Sequence, residues 1–566
     1  MFCPECGYKI EDEQARFCPE CGTCIEEVES DAVSEHTVGE CSAHGFILTN
    51  CRLLAEKLGV PALQVKQLIE QYIMARREDE MDYLCLDVDH YTYRKRGFLG
   101  WNKSVSLRPD SPWEEYMELL TDAVEQRQGV TSGEVLYLFI IGSNDVIPMP
   151  RIVHPVEGMD DRDIDTDLLW AYPYGAAMVE ELKSLHILQY DQQLLVGRLP
   201  VGEDTGFEEL AGYLQRAAQC GWGIPMQEAY GQCDPHWQRV STRVAQPVTP
   251  MLRDLEGRVP SACYAHGLVL SPGVTLQHLP HYFHPNASIY YFNLHGSNAR
   301  EASGYYGCSM EQPPKCHAVM APAFMEQCGV HNVVVCEACY GARHIGMDRN
   351  HSTLLSALYH RTLLFLGSSR VAWGDVDGAQ QRMPQPQLAD VVASTFMEAL
   401  GSGYSAGKAL FIAKAAVMKA DPHVSPYSVA TVAEFNLFGD PSLLMDECSE
   451  KRAGVVKDPC GKLGHAQAYG CRVTQVEKKG SPSLLQQVRA QVDDNVREIH
   501  DRIGQYLYAQ YGIAPREVDQ VLRLYYPDGY QEMNFNYKVA RQEDWEEVVT
   551  VITSTKGDIR KVFSTR

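Results

Sequence analysis

The chain has 566 residues, 45% of them hydrophobic, and a formal net charge of −24. That length suits about three or four domains with sizeable cores, while the acidic excess disfavours general attraction to nucleic acid or anionic membrane. No apolar stretch reaches bilayer-spanning length, and the opening MFCPECGYKI lacks the charged and apolar regions of a secretory signal, so no membrane association and a cytoplasmic location are expected.

Residues 1–27 carry two near-identical knuckles, FCPECG at Phe2–Gly7 and again at Phe17–Gly22. Each turn offers two thiolates, and Cys3, Cys6, Cys18 and Cys21 together form a tetrahedral sulfur set suited to a structural Zn²⁺, as in zinc ribbons. So short a segment cannot bury a sufficient core, so the metal is expected to supply its folding energy. Other thiols among the 19 cysteines are expected to stay free or to bind metal in a reducing compartment. Glu26–Val38 is acidic and aperiodic, and residues 28–47 read as a linker.

Residues 48–80 read as a helical hairpin. Asn50 is a candidate N-cap for CRLLAEKLG, and a second amphipathic run follows Pro61 as far as Arg77. The phrase LAEKLGVPALQVKQLIEQY resembles the first part of a helix-turn-helix, yet Lys66 is the lone cation of its second helix before Arg76, so docking on the main body is the expected role.

From residue 81 to 222 short apolar runs (YLCLDVDHY, VLYLFIIGS, QLLVGRLPV) alternate with helical stretches such as Trp113–Glu125 and Glu208–Ala218, the pattern of an α/β unit. Within it the carboxylates Asp163, Asp165 and Asp167 could hold Ca²⁺, against the plainer reading of a solvated acidic loop.

A second α/β unit spans residues 223–446. The β-branched run in VVVCEACYGAR (Val333–Arg343) reads as a buried parallel strand presenting Cys339 at its carboxyl edge, and IYYFNLHG (Ile289–Gly296) has the same design and ends on His295. If the strands are neighbours their tips lie about 5 Å apart, close enough for a thiol and an imidazole to act as a dyad. Cys336, an odd number of positions earlier, is expected on the opposite face as a structural thiol. Residues 447–482 read as an exposed linker. Residues 483–566 read as an α+β module: a long helix over Ser483–Tyr511, then β-like runs with a turn at Pro527-Asp528-Gly529.

These motifs resemble a known family. HGS at His295–Ser297 with CEACYG at Cys336–Gly341 is similar to the His-Gly and Ala-Cys pair of the caspase-like cysteine peptidases, and LLVGRLPV (Leu194–Val201), SSRVAWGD (Ser368–Asp375) and NLFGDPSLL (Asn436–Leu444) narrow the resemblance to the gingipain type. It implies a caspase-like, open and mostly parallel α/β sheet with flanking helices, preceded by a second α/β subdomain. It also implies Cys339 as nucleophile, His295 as its acid-base partner, and the backbone N–H groups of Gly296 and Cys339 as oxyanion donors. Trp373 would wall the pocket for the residue before the scissile bond. The carboxylate of arginine-specific members should fall near Gly231–Arg243, where Asp234 suits a basic residue, whereas Arg239 and Arg243 would suit an acidic one.

The function expected from the sequence is a cytoplasmic cysteine endopeptidase acting on protein substrates and gated by a regulatory protein partner or by its accessory modules. The alternatives are an inactive peptidase-fold scaffold or sensor, and a protease linked to nucleic acid.

Overall fold

Continuous apolar runs become central strands because both faces of a parallel sheet are covered by helices. Leu136–Ile141, Ile289–Asn293, Asn332–Cys336 and Thr362–Ser368 are buried at every position. The computed structural model describes residues 44–96, 102–108, 111–128, 136–159, 161–173, 192–220, 223–283, 286–301, 303–311, 314–329, 331–377, 385–421, 423–446, 486–490, 494–514, 518–526, 529–542 and 545–566.

The main sheet has eleven strands, in the order Tyr264–Ala265, Leu268–Leu270, Ala229–Cys233, Ile289–Asn293, Asn332–Cys336, Thr362–Ser368, Phe435–Phe438, Leu194–Leu199, Leu136–Ile141, Gly45–Thr49 and Tyr83–Asp87. The expectation of an open, mostly parallel α/β sheet is met. Two neighbouring pairs are antiparallel: the short pair at one edge, and Thr362–Ser368 against Phe435–Phe438 in the middle. The central reversal makes two parallel halves running in opposite directions, and Phe435–Phe438 belongs to the second, pairing in parallel with Leu194–Leu199 through Phe438 and Arg198. The two predicted α/β units are therefore halves of one sheet over one apolar core.

Several local expectations are met. Asn50 caps the helix Cys51–Leu58 by accepting from Leu53 N at 2.9 Å, and Gly59 ends it at φ 67°, the left-handed conformation that glycine adopts without strain. The second helix, Ala62–Glu78, docks on the main body. Tyr72 donates to Asp440 at 2.5 Å and the buried Arg76 lies 3.5 Å from the same carboxylate, which is also held by Tyr83 at 2.6 Å.

Three local expectations are corrected. Residues 45–49, partly assigned to a linker, form a fully buried strand between Tyr83–Asp87 and Leu136–Ile141. In the last module the helix begins at Asp494, while Gln486–Arg489 is a strand, since pairing with Gln520–Tyr525 satisfies its backbone groups across the sheet. Cys308 and Cys316 are joined in a disulfide across a hairpin, so that pair is neither free nor metal-bound.

The last module has its own core, in which Val496, Ile499, Ile503 and Leu507 of the helix Asp494–Tyr511 meet Phe535, Tyr537, Val549 and Val551 of the sheet. That sheet runs in the order Trp373–Asp375, Ile559–Thr565, Trp545–Thr553, Gln531–Gln542, Gln520–Tyr525, Gln486–Arg489. Its first strand belongs to the main body, so the module joins the main body through β-pairing. Among the described residues no helix is long and apolar enough to cross a membrane.

Candidate active site

Four neighbouring parallel strands, Ala229–Cys233, Ile289–Asn293, Asn332–Cys336 and Thr362–Ser368, end on one edge of the main sheet. Just beyond their carboxyl ends come Asp234, His295, Cys339 and the segment Arg370–Asp375, the position at which open α/β sheets gather chemistry. Phe292 pairs with Cys336, so His295 and Cys339 each stand three residues beyond a paired position on adjacent strands. Gly296 closes the approach. A Cβ there would lie 1.6 Å from the Cys339 carbonyl oxygen, so only glycine lets the two loops meet this closely.

Cys339 lies in a turn beyond its strand. Tyr340 follows in the left-handed region at φ 53°, costly for a bulky residue and held here because Tyr340 N donates to Arg370 O at 2.7 Å and Ala342 N to Ser368 O at 2.9 Å. The Cys339 thiol accepts from Ala372 N at 3.2 Å and donates to Ala372 O at 3.6 Å. Burial pushes it up to about 12, against the opposing backbone hydrogen bonds of Ala372 and Arg566, so the thiol is neutral as it lies. Cys336 is fully buried in the strand.

His295 is 3% exposed and stacks at a tilt against Trp237, ring centres 4.3 Å apart. Its Nε2 lies 3.6 Å from Oδ2 of Asp234, whose side chain is fully buried. Asp234 also accepts from His236 N at 2.8 Å and from Cys308 N at 2.5 Å, and its Oδ1 is 2.7 Å from His236 Nδ1. Burial alone would raise this carboxyl. The hydrogen bond from His236 and the charges of His295 and His236 outweigh it and hold Asp234 below its usual range, hence ionised. Asp234 therefore stands as a counter-charge to the imidazole, not in the pocket suggested by its sequence position.

The pocket beside Cys339 holds an arginine of the chain itself. The carbonyl oxygen of Arg566 accepts from Cys339 N at 3.3 Å and Gly296 N at 3.5 Å, while Arg566 N donates to Ala372 O at 2.9 Å. Its side chain is fully buried. Nη2 meets Asp390 Oδ1 at 2.5 Å, Nε lies 3.9 Å from Glu337 Oε2, and the guanidinium sits over the Trp237 ring at 4.3 Å. A Cβ on Gly374 would lie 1.9 Å from Nη2, so glycine at 374 leaves the room the guanidinium fills. Asp390 is fixed by Asp375 N at 2.6 Å and Gln387 N at 3.0 Å, and Glu337 by Tyr291 OH at 2.7 Å. Burial, then the charge of Asp390, raises Glu337 well above the carboxylate range, with Arg566 opposing. The pocket thus sets two carboxylates against one guanidinium, with Glu337 held toward its neutral form.

The other candidates lie elsewhere. Trp373 packs edge-on against His154 and Tyr427, and its neighbour Gly374 faces the guanidinium, as strand alternation requires. Arg239 and Arg243 are exposed on the helix Gln238–Val244, outside the pocket around Arg566. Asp165 is held between Arg151 at 2.5 Å and Arg370 at 2.6 Å, Asp167 pairs with Arg198, and Asp163 is exposed. Cys3, Cys6, Cys18 and Cys21 lie outside the described residues. Among the described residues one group could bring three ligand atoms to a metal, Asp234, His295 and Cys308, but the Cys308 sulfur is bonded to Cys316.

Sequence reasoning missed Glu337, Gly374, Trp237 and Asp390 as pocket residues. Glu337 carried a signal, since it falls between the two cysteines of CEAC at the strand tip. Gly374 adjoins Trp373. Trp237 and Asp390, on a short helical turn and a helix first turn, carried none.

No protein-family profile and no curated protein matches the chain. Among solved structures it is similar to the Arg-specific cysteine proteinase gingipain R, at 10% identity over 93% of this chain and 98% of that one, with a TM-score of 0.44. It is likewise similar to a complex of the pro- and mature domains of Porphyromonas gingivalis RgpB, at 10% identity over 91% and 99%, with a TM-score of 0.45. The Saccharomyces cerevisiae separase–securin complex is similar at 10% identity over 66% and 22%, with a TM-score of 0.31. Likeness of this degree says nothing of activity; the chemistry has to come from the residues themselves.

Proposed function

We propose that the chain is a cysteine endopeptidase that cleaves protein substrates after arginine. One observation carries this reading: an arginine lies with its carbonyl oxygen toward two backbone N–H groups beside Cys339 while its guanidinium fills a carboxylate pocket. A substrate arginine held that way presents its carbonyl carbon to the thiol.

The residues then take these roles. The Cys339 sulfur bonds to the carbonyl carbon as its proton passes to His295, and the oxyanion is received by Gly296 N–H and Cys339 N–H. The C–N bond breaks, the amine leaves with the proton from His295, and a thioester to arginine stays on Cys339. Water, deprotonated by His295, then attacks the thioester and releases the arginine carboxylate and the thiol. Asp234 stabilises the imidazolium in both halves of the cycle. Asp390, Glu337, Trp237 and Gly374 select the guanidinium: a lysine ammonium is shorter and cannot reproduce a planar contact over the Trp237 ring. The reading includes a structural Zn²⁺ on Cys3, Cys6, Cys18 and Cys21, on their C-x₂-C spacing alone.

A peptide library read by cleavage site tests it. Cleavage confined to bonds after arginine, and lost in Cys339→Ala, is expected. Cleavage that survives that substitution, or that ignores arginine, overturns it.

A further inference from the structure

Arg566 reaches the pocket as the end of a strand. Ile559–Thr565 lies antiparallel to Trp373–Asp375, with Thr565 opposite Trp373, Ser564 opposite Gly374 and Phe563 opposite Asp375. The segment thus makes the main-chain contacts an extended peptide would make on the edge of the cleft, a form of β-strand addition. Its other edge pairs with Trp545–Thr553 along the module's own sheet, so the module holds the strand in an extended shape before it enters the cleft.

Side chains pin it there. Phe563 is buried edge-on against Tyr427 with ring centres 4.8 Å apart, Gln387 Nε2 donates to Val562 O at 3.4 Å, and Lys561 Nζ lies 3.6 Å from Asp421 Oδ1. Tyr427 also donates to Asn536 of the module at 3.1 Å. With Arg566 seated, the pocket, both oxyanion donors and the peptide-binding edge are all taken, and the thiol beneath is buried and neutral.

We propose that residues 559–566 are a tethered, substrate-like occupant of this cleft, so that the last module keeps the site closed and a substrate gains entry only when the module's edge strand withdraws. This rests on the peptidase reading above for the meaning of the site, but the occlusion itself is a property of the strand. Tethering explains why a single short strand suffices. An intramolecular segment acts at a high effective concentration, so modest contacts keep the cleft filled, and the apparent activity is reduced by the small fraction of open molecules.

The test uses the full chain. The rate at which iodoacetamide modifies Cys339 is followed by peptide mapping, turnover of a fluorogenic arginyl peptide is measured in parallel, and hydrogen exchange of residues 559–566 reports the strand. Arg566→Ala removes the guanidinium anchor, and is expected to raise both rates by about tenfold or more as the strand's amides lose protection. Adding the peptide IRKVFSTR, the sequence of residues 559–566, should reverse both. Lys561→Glu sets a like charge against the buried Asp421 from a partly exposed position and removes no buried group, so it should act in the same direction with a smaller effect. Alkylation rates unchanged in both variants overturn the proposal, whether or not exchange shows the strand released. If alkylation rises and no arginyl peptide is cleaved, the occlusion stands and the peptidase reading falls; if arginyl peptides are cleaved equally by all three chains, the reverse holds.

Discussion

Two fully buried arginines, one in a strand of the main sheet and one in the pocket beyond its edge, are held in different ways. Arg198, in the strand Leu194–Leu199, is saturated. Nε and Nη2 grip Asp167 at 2.8 and 2.7 Å, and Nη1 donates to Gly142 O and Ile147 O at 2.9 Å each. Arg566 has one strong contact, to Asp390, and among the described residues its Nε and Nη1 have no hydrogen-bond partner. Charge and the Trp237 face hold it, not a full set of bonds. Each unpaired buried donor costs about 1–3 kcal/mol, so the two sites differ in how completely they hold the group. A pocket that must exchange its guest cannot hold it so completely. The contrast fits a structural role for the first site and the recognition role proposed above for the second.

The largest expected effect falls on the chemistry. In the Arg566→Ala background, Cys339→Ala should cut turnover of arginyl peptides by more than about 10³-fold, with thermal stability unchanged. The comparison is broken most directly by neutralising the two partner carboxylates. Asp167→Asn leaves Arg198 buried without its counter-charge and should cost about 3–5 kcal/mol of folding stability by denaturant unfolding. In the Arg566→Ala background, Asp390→Asn should spare the fold and cost about 2–5 kcal/mol in kcat/KM toward arginyl peptides. Equal stability losses in the two variants would erase the distinction.

Smaller effects sharpen it. Gly374→Ala puts a methyl where Nη2 lies, so selectivity for arginyl over alanyl peptides should fall by about 10–100-fold, the cost of overpacking. Asp234→Asn should lower kcat by about 10²-fold or more. It should also move the limb of the pH profile governed by the imidazolium to lower pH, since that cation loses its counter-charge. A separate prediction concerns Lys414, buried near Asp167, whose charge Arg198 already satisfies. Burial lowers the Lys414 ammonium from 10.5 to about 7. Between those values the unfolded chain binds the extra proton, so stability should rise with pH from about 7 to about 10, by at most about 1.4 kcal/mol per pH unit. Lys414→Met should flatten that slope and leave the protein more stable below pH 7.

Local and central features were the legible ones. The strands around Leu136–Ile141, Ile289–Asn293 and Asn332–Cys336 declare themselves because burial on both faces leaves an unbroken apolar run. Asn50 and Gly59 declare a helix start and stop by capping chemistry alone. Gln486–Arg489 was misread because its strand state depends on the partner Gln520–Tyr525, and the sequence pattern of an edge strand carries little information about its neighbour. Asp234 was noticed and given the wrong neighbour. Nothing in the chain order says that the tip of Ala229–Cys233 lies beside the tip of Ile289–Asn293.

The sequence by itself determined an α/β sheet, the placing of Cys339 and His295 at the ends of two buried strands, and a glycine after the histidine. These follow from periodicity and residue type, which act over a few positions. Only the tertiary structure decided that Glu337, Asp390, Gly374 and Trp237, separated by up to 153 positions, enclose one guanidinium, and that Arg566 from the far end of the chain occupies it. Strand order, register and the docking of one sheet on another set those meetings. They are fixed by the packing of whole faces, for which no short stretch of sequence carries a sign.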